Sequence, residues 1–250
     1  MGKNNIVINT LVFLEELNNG VKQSKLLKNI YDLGITKAEI RREFIKDFEV
    51  ELQEIKNVSE ELQMELYYSV PKYLYVDGEL KADEIEECFK EAYKMNCRNV
   101  KLNIGDYHHI SFENVYKINS LCDKYTIMLT IENDQTEENG RSNKIKEFLE
   151  SAEDVGMKVS GTFDVGNWLW QEEDPTESAH KLKPYITYIH LKDVYMKDKP
   201  QAAMLDQGII PWRNVLGVFD KKIPVAIEYP IYPDTLERLK QEINKLQAAL

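Results

Sequence analysis

Eight times along this chain a short apolar run, often β-branched, gives way to a longer stretch whose apolar positions recur at helical spacing. The runs are IVINTLVF, KAEIRR, QMELYYSV, NVKLNI, TIMLTI, KVSGTF, ITYIHL and PVAIEY. This change of period marks βα units around a parallel sheet, because parallel neighbours need a crossover long enough to hold a helix. The helix ends are legible as well. SKLLKNIYDLG closes on Gly34, FENVYKINSLCDKY follows Ser111 as N-cap, and DPTESAHKL offers Asp174 as cap with Pro175 in the first turn. In the last pattern, PDTLERLKQEINKLQAAL, the residues Leu236, Leu239, Ile243 and Leu246 make one stripe with charges opposite.

Eight such units in 250 residues, with no Pro-, Gly- or Ser-rich linker between them, are expected to close into one α/β domain. The expected fold is a (β/α)8 TIM barrel spanning residues 1–250, with right-handed crossovers. An open doubly wound sheet is the alternative, but no GxGxxG turn or P-loop supports it.

Charge narrows the partners. Asp and Glu outnumber Lys and Arg 43 to 32, a net charge of -11, which disfavours nucleic acid and anionic membrane surfaces. The N-terminal MGKNNIVINTLVFLEEL is too short and too interrupted by Asn9 for a membrane span or signal peptide. Gly2 lacks the acylation pattern, since Ile6 stands where Ser or Thr is required. Cys88, Cys97 and Cys122 are odd in number and form no CxxC pair, so a reducing cytoplasm is the expected compartment. Nothing marks them as nucleophiles.

In a barrel of this kind the chemistry gathers at the C-terminal ends of the strands. Four consecutive runs end there on metal-capable side chains: Glu132 in TIEND, Asp164 in TFDVGN, His190 in YIHLKD and Glu228 in AIEYP. One such residue alone reads as a salt-bridged strand end, a turn cap or a core histidine. Three carboxylates brought together repel one another unless a cation neutralises them, so the set of four reads as a divalent-metal site. Three hard oxygens and one nitrogen suit Mn²⁺, Mg²⁺ or Co²⁺ better than a closed structural zinc site, although Zn²⁺ is compatible.

The ordered set IEND, FDVGN, YIHLKD and IEYP resembles the xylose isomerase-like TIM-barrel superfamily. The likeness is strongest to its sugar (phosphate) isomerase and epimerase branch, which includes ketose 3-epimerases and hydroxypyruvate isomerase-like enzymes. It covers essentially the whole chain, with its specific part in residues 126–230. DQGIIPW, from Asp206 to Trp212, is similar to the family's glycine-containing loop and Trp before the seventh helix. The resemblance implies a metal held by Glu132, Asp164, His190 and Glu228, with Glu132 and Glu228 also serving as acid and base. A Lewis-acidic ion acidifies the C–H beside a ketose carbonyl and stabilises the enediolate left when the proton goes. Return of the proton to the opposite face gives an epimer, and return to the next carbon gives an aldose; both outcomes stay open. The expected substrate is a small sugar or sugar phosphate, and a homo-oligomer is compatible.

Two rival readings belong beside this one. A non-catalytic sugar-binding or regulatory barrel would keep the metal set without turnover. An endonuclease IV-like phosphodiesterase would need several further histidines, whereas this chain has four, His108, His109, His180 and His190, and only His190 falls at a strand end. Ala203 and Leu205 occupy the stretch where the resemblance would place further ligands of such an enzyme. Asn167 stands where many relatives place a histidine, and an amide there donates to a hydroxyl but carries no proton.

Other candidates line the expected mouth. Lys192 is placed either to reach a substrate oxygen or to stand in a salt bridge. Trp168 and Trp170 either wall a sugar face or pack under the loop. Lys101 and Asn103 sit near the end of the fourth run. Glu39 and Arg41, two apart on the second, share a face and either line the mouth or pair with each other. Arg41, Lys101, Asn167, Trp168 and Lys192 are the expected substrate contacts. His108 and His109 read as loop residues, and EVELQEIKNVSEELQ and ADEIEECFKEAYK as solvated helix faces.

Overall fold

The apolar runs do become strands, and their order closes a ring. The structure, a computed structural model, describes residues 5–250, so residues 1–4, Gly2 among them, lie outside the described residues. The strands are β1 (Ile6–Asn9), β2 (Lys37–Arg41), β3 (Glu65–Val76), β4 (Glu79–Leu80), β5 (Asn99–Gly105), β6 (Met128–Glu132), β7 (Ser160–Asp164), β8 (Ile186–Leu191), β9 (Asp193–Met196), β10 (Pro200–Ala203) and β11 (Val225–Ile227). The helices are α1 (Leu14–Asn18), α2 (Gln23–Asp32), α3 (Phe48–Glu61), α4 (Ala82–Lys94), α5 (Phe112–Tyr125), α6 (Ser142–Asp154), α7 (Pro175–Leu182), α8 (Trp212–Val218) and α9 (Thr235–Ala249).

The sheet runs β2-β1-β11-β8-β7-β6-β5-β3, and pairing of β2 with β3 closes it into an eight-stranded parallel barrel. Helices α2 to α9 follow the barrel strands in turn and cover its outside. Two antiparallel additions decorate the loops: β4 folds back on the extended end of β3, and β9 with β10 makes a hairpin beyond β8. Among the described residues no helix is long and apolar enough to cross a membrane.

The helix signals act as their chemistry dictates. Ser111 and Asn114 form a reciprocal capping box at α5, and the Asp174 side chain accepts from the backbone N–H of Thr176 and Glu177 ahead of Pro175. Three expectations need correction. The first run does not continue to Phe13, because the Asn9 side chain accepts from the Leu11 N–H and turns residues Thr10–Phe13 into a 3-10 helix. On α9, Leu239, Ile243 and Leu246 are buried, but Leu236 in the first turn is 44% exposed. The opposite face is not wholly solvated either. Glu242 is fully buried and accepts from the Leu205 N–H and the Tyr229 hydroxyl, tying the loop after β10 to the residue beside Glu228.

Side chains pointing into the barrel alternate along each strand. Val7, Tyr67, Tyr188 and Ala226 make one inner layer, with the two tyrosine rings stacked at 4.7 Å between centroids. Two residues further along three of these strands stand Asn9, His190 and Glu228. An apolar floor thus lies beneath a polar layer, and that layer faces the loops.

At the rim, β5 ends on Gly105 in a left-handed conformation, φ +80°, pressed against β3. A Cβ there would lie 2.0 Å from the Tyr75 carbonyl oxygen and 2.8 Å from the Tyr73 Cβ. Gly105→Ala is expected to destabilise the fold by about 2 kcal/mol or more, from backbone strain plus this clash. A lower urea midpoint at unchanged slope would show it, and an unchanged midpoint would refute it.

Candidate metal centre

Strand geometry brings the four predicted residues together. Glu132 and Asp164 are the last residues of β6 and β7, His190 is the penultimate residue of β8, and Glu228 follows β11 directly. All four are buried, and one donor atom from each lies within 4.8 Å of every other. His190 Nδ1 is 2.5 Å from Glu132 Oε1 and 3.3 Å from Glu228 Oε2, while Nε2 faces Glu39 at 2.9 Å. Asp164 divides its oxygens. Oδ1 accepts from the Gly166 and Asn167 N–H groups, fixing the turn, and Oδ2 meets Lys192 Nζ at 2.7 Å.

Cations stand around the ring. Lys101 Nζ is 2.5 Å from Glu132 Oε2, Arg41 Nη1 is 2.6 Å from Glu228 Oε1, and Lys192 also approaches Glu228 Oε2 at 3.7 Å. Glu39 and Arg41 do not pair with each other as their spacing allowed: Arg41 reaches Glu228 and Glu43, and Glu39 reaches His190. Asn9, overlooked in the sequence, donates to Glu39 at 2.6 Å and spans to Glu228 at 3.4 Å. The signal for it was present, as an amide interrupting an otherwise apolar run.

The other candidates sit differently. Asn167 is buried with its amide committed to the loop: Nδ2 donates to the Asn133 carbonyl at 2.9 Å, and Oδ1 accepts from Gln135 at 3.3 Å. Trp168 is fully buried and packs against Phe163 beneath the loop, with ring centroids 5.2 Å apart. Trp170 is only partly buried against the core. His108 lies in an exposed loop beside Asp106, and His180 lies on α7. Only His190 among the four histidines reaches the cluster. Asn103 donates to Asp134 at the rim at 2.9 Å. Asp193, next to Lys192, organises the loop overhead by accepting from the N–H groups of Val194, Gly208 and Ile210.

Electrostatics separate the carboxylates. Burial opposes charge on Glu132, but Lys101 and then His190 outweigh it and bring its pKa down to about 2. Burial opposes charge on Glu228 too, and His190 and Lys192 hold it well below the usual range. Asp164 goes the other way, pushed up to about 7 by burial, with Lys192 countering only part and Glu228 and Glu132 adding to the rise. Burial disfavours the imidazolium of His190, but Glu228, Glu39 and Glu132 raise its pKa well above the ordinary value. Four carboxylates, Glu39, Glu132, Asp164 and Glu228, thus face three permanent cations, Arg41, Lys101 and Lys192. His190, held as an imidazolium, supplies the fourth positive charge in the metal-free cluster, and the converging oxygen and nitrogen donors fit a divalent cation that would displace that proton on binding.

The model of one protein family, described as xylose isomerase-like TIM barrel, matches residues 27–249. Solved structures give the same architecture. A D-allulose 3-epimerase from Methylomonas sp. superposes with a TM-score of 0.71 at 13% identity, covering 100% of this chain and 99% of that one. The probable 3-DHS dehydratase AsbF of Bacillus anthracis gives 0.68 at 15% identity, covering 97% and 98%. The 3-keto-D-glucoside 4-epimerase YcjR of E. coli gives 0.71 at 9% identity, covering 98% and 100%. At such identities the likeness establishes the fold. No curated protein matches the sequence.

Proposed function

This chain belongs to the xylose isomerase-like TIM barrel family, and from that premise we propose that it is a divalent-metal-dependent isomerase or epimerase of a ketose-type sugar or sugar phosphate. The observation that carries the proposal is the convergence of Glu132, Asp164, His190 and Glu228 at the loop end of the barrel. These four residues would hold the ion. A bound divalent cation supplies Lewis acidity toward a carbonyl and its neighbouring hydroxyl.

The chain's own groups do the rest. Glu132 ends β6 and Glu228 directly follows β11, with β7 and β8 between those strands in the ring, so they approach the cluster from two sides. Lys101 and then His190 keep Glu132 ionised, and His190 and Lys192 keep Glu228 ionised, the form in which a carboxylate accepts a proton. The same cations make them weak bases, so transfer depends on a substrate C–H already acidified beside its carbonyl. Lys101 and Lys192, both buried, place positive charge where an enediolate would form. The apolar layer of Val7, Tyr67, Tyr188 and Ala226 closes the site from below, leaving the loop end for substrate entry. Acidic net charge and one histidine in the cluster, where a phosphodiesterase of this superfamily would need several, favour a sugar over DNA.

The sugar epimerase structures that share the fold support this class of reaction, as does D-allulose bound in one of them. The test is deuterium uptake. Protein supplied with Mn²⁺ in D₂O is expected to exchange the C–H beside the carbonyl of at least one member of a ketose and ketose-phosphate panel. Metal binding without exchange across the panel would overturn the enzyme reading and favour a sugar-binding barrel. The commitment of Asn167 to the loop, at the position where the resemblance implies a histidine in many relatives, is the observation on that side.

A further inference from the structure

Glu39 is a fully buried carboxylate with an unusual choice of partner. It lies on β2, across the barrel from β8, and among the described residues no lysine or arginine pairs with it. An ionised group so deep must be met by a donor, or its burial is strongly unfavourable. The donor is His190: Nε2 lies 2.9 Å from Glu39 Oε2 and 3.1 Å from Oε1. The same Oε2 also accepts from Asn9 Nδ2 at 2.6 Å, so the carboxylate has a second donor. The Tyr188 ring stands edge-on to the imidazole at 5.0 Å between centroids and limits its rotation.

We propose that Glu39 is a positioning residue for the metal centre: it takes the Nε2–H of His190 and so fixes the tautomer and ring orientation that turn the Nδ1 lone pair toward Glu132 and Glu228. The assignment rests on the metal reading above. Either imidazole nitrogen can ligate an ion, and the bond made by one decides which proton the other keeps. Here the nitrogen facing Glu132 and Glu228 is Nδ1, and the other nitrogen is spoken for by Glu39. Glu39 does not belong to the ligand set itself, because the imidazole stands between it and the other donors. Asn9 links Glu39 to the ligand set, since its amide also reaches Glu228 at 3.4 Å.

The test compares the full-length wild type with Glu39→Gln and Glu39→Ala. Glutamine keeps the shape and a carbonyl acceptor but loses the charge; alanine loses both. Mn²⁺ titration calorimetry is expected to show affinity falling about tenfold in Glu39→Gln and about a hundredfold in Glu39→Ala. In Mg²⁺-loaded protein the His190 Nε2–H proton resonance, assigned by its loss in His190→Gln, is expected to move upfield in Glu39→Gln as the charged acceptor disappears. A purely packing role would leave the isosteric variant at wild-type affinity with an unmoved resonance, and that result overturns the proposal. If Glu39→Ala does not fold, Glu39→Gln decides alone. A wild type that takes up no divalent ion would refute the metal reading together with this role, whereas equal uptake by wild type and Glu39→Gln would refute the role only.

Discussion

Glu228→Gln is expected to lower turnover by about a thousandfold, within the range that loss of a general acid or base produces, while the barrel stays folded. The side chain keeps its volume and an acceptor for Arg41, so the packing beneath it should persist. The carboxylate that would take or return a proton is gone. At saturating Mn²⁺ the two directions of reaction should then part. If Glu132 serves the other face, one epimer still exchanges its proton with solvent, yet neither converts to the other. Glu132→Gln should give the mirror pattern. Deuterium content of each recovered epimer, beside a thermal melt of each variant, reads this directly. Wild-type conversion by Glu228→Gln would remove that residue from the chemistry.

The ring of strands was legible because its cause is local. A parallel strand buried on both faces must be apolar, and the helix that returns the chain must show its own period, so the alternation appears in the sequence eight times. The four centre residues were legible for a related reason. Each is polar at the end of an apolar run, and in a closed parallel barrel all such ends share one rim. Partner choice was not legible. Glu39 and Arg41 are two apart and share a face, which leaves their mutual pairing open, and the residue that Glu39 meets lies 151 positions away.

Asn9 and Glu242 were hidden by averaging. An amide inside IVINTLVF reads as an interruption, and a glutamate inside PDTLERLKQEINKLQAAL reads as one charge of a solvated face. Burial gives both a different meaning. Asn9 turns the chain into Thr10–Phe13 and holds Glu39, and Glu242 anchors Tyr229 beside Glu228. The hairpin of β9 and β10 gave no signal that periodicity could catch, because four-residue strands outside the barrel show too little alternation. Its position depends on Asp193 accepting three backbone N–H groups, a contact that exists only after the loop has folded.

Divalent-metal affinity is expected to rise steeply with pH and to expel protons, because two of the four proposed ligands hold protons in the metal-free protein. His190 sits among Glu228, Glu39 and Glu132, which keep it an imidazolium well above its ordinary pKa, with a proton on the nitrogen that must ligate. Asp164, pushed by burial from 3.8 up to about 7, is half protonated at neutral pH. Each proton displaced makes affinity change about tenfold per pH unit, so the slope should be near a hundredfold per unit below about pH 7 and near tenfold above it. The sign for stability runs the other way without metal. Both groups have folded-state pKa values above their unfolded ones, so the stability they contribute is complete at acid pH. It is lost as pH climbs, first through about 7 for Asp164 and then through the higher value of His190. Metal-free protein should therefore lose melting temperature across that window, and the rise in melting temperature given by Mn²⁺ should be small at pH 5 and large at pH 8. Calorimetry in two buffers of different ionisation enthalpy counts the protons released. Equal affinity at pH 5 and pH 8, with no proton released, would mean that the ion binds elsewhere than at His190 and Asp164.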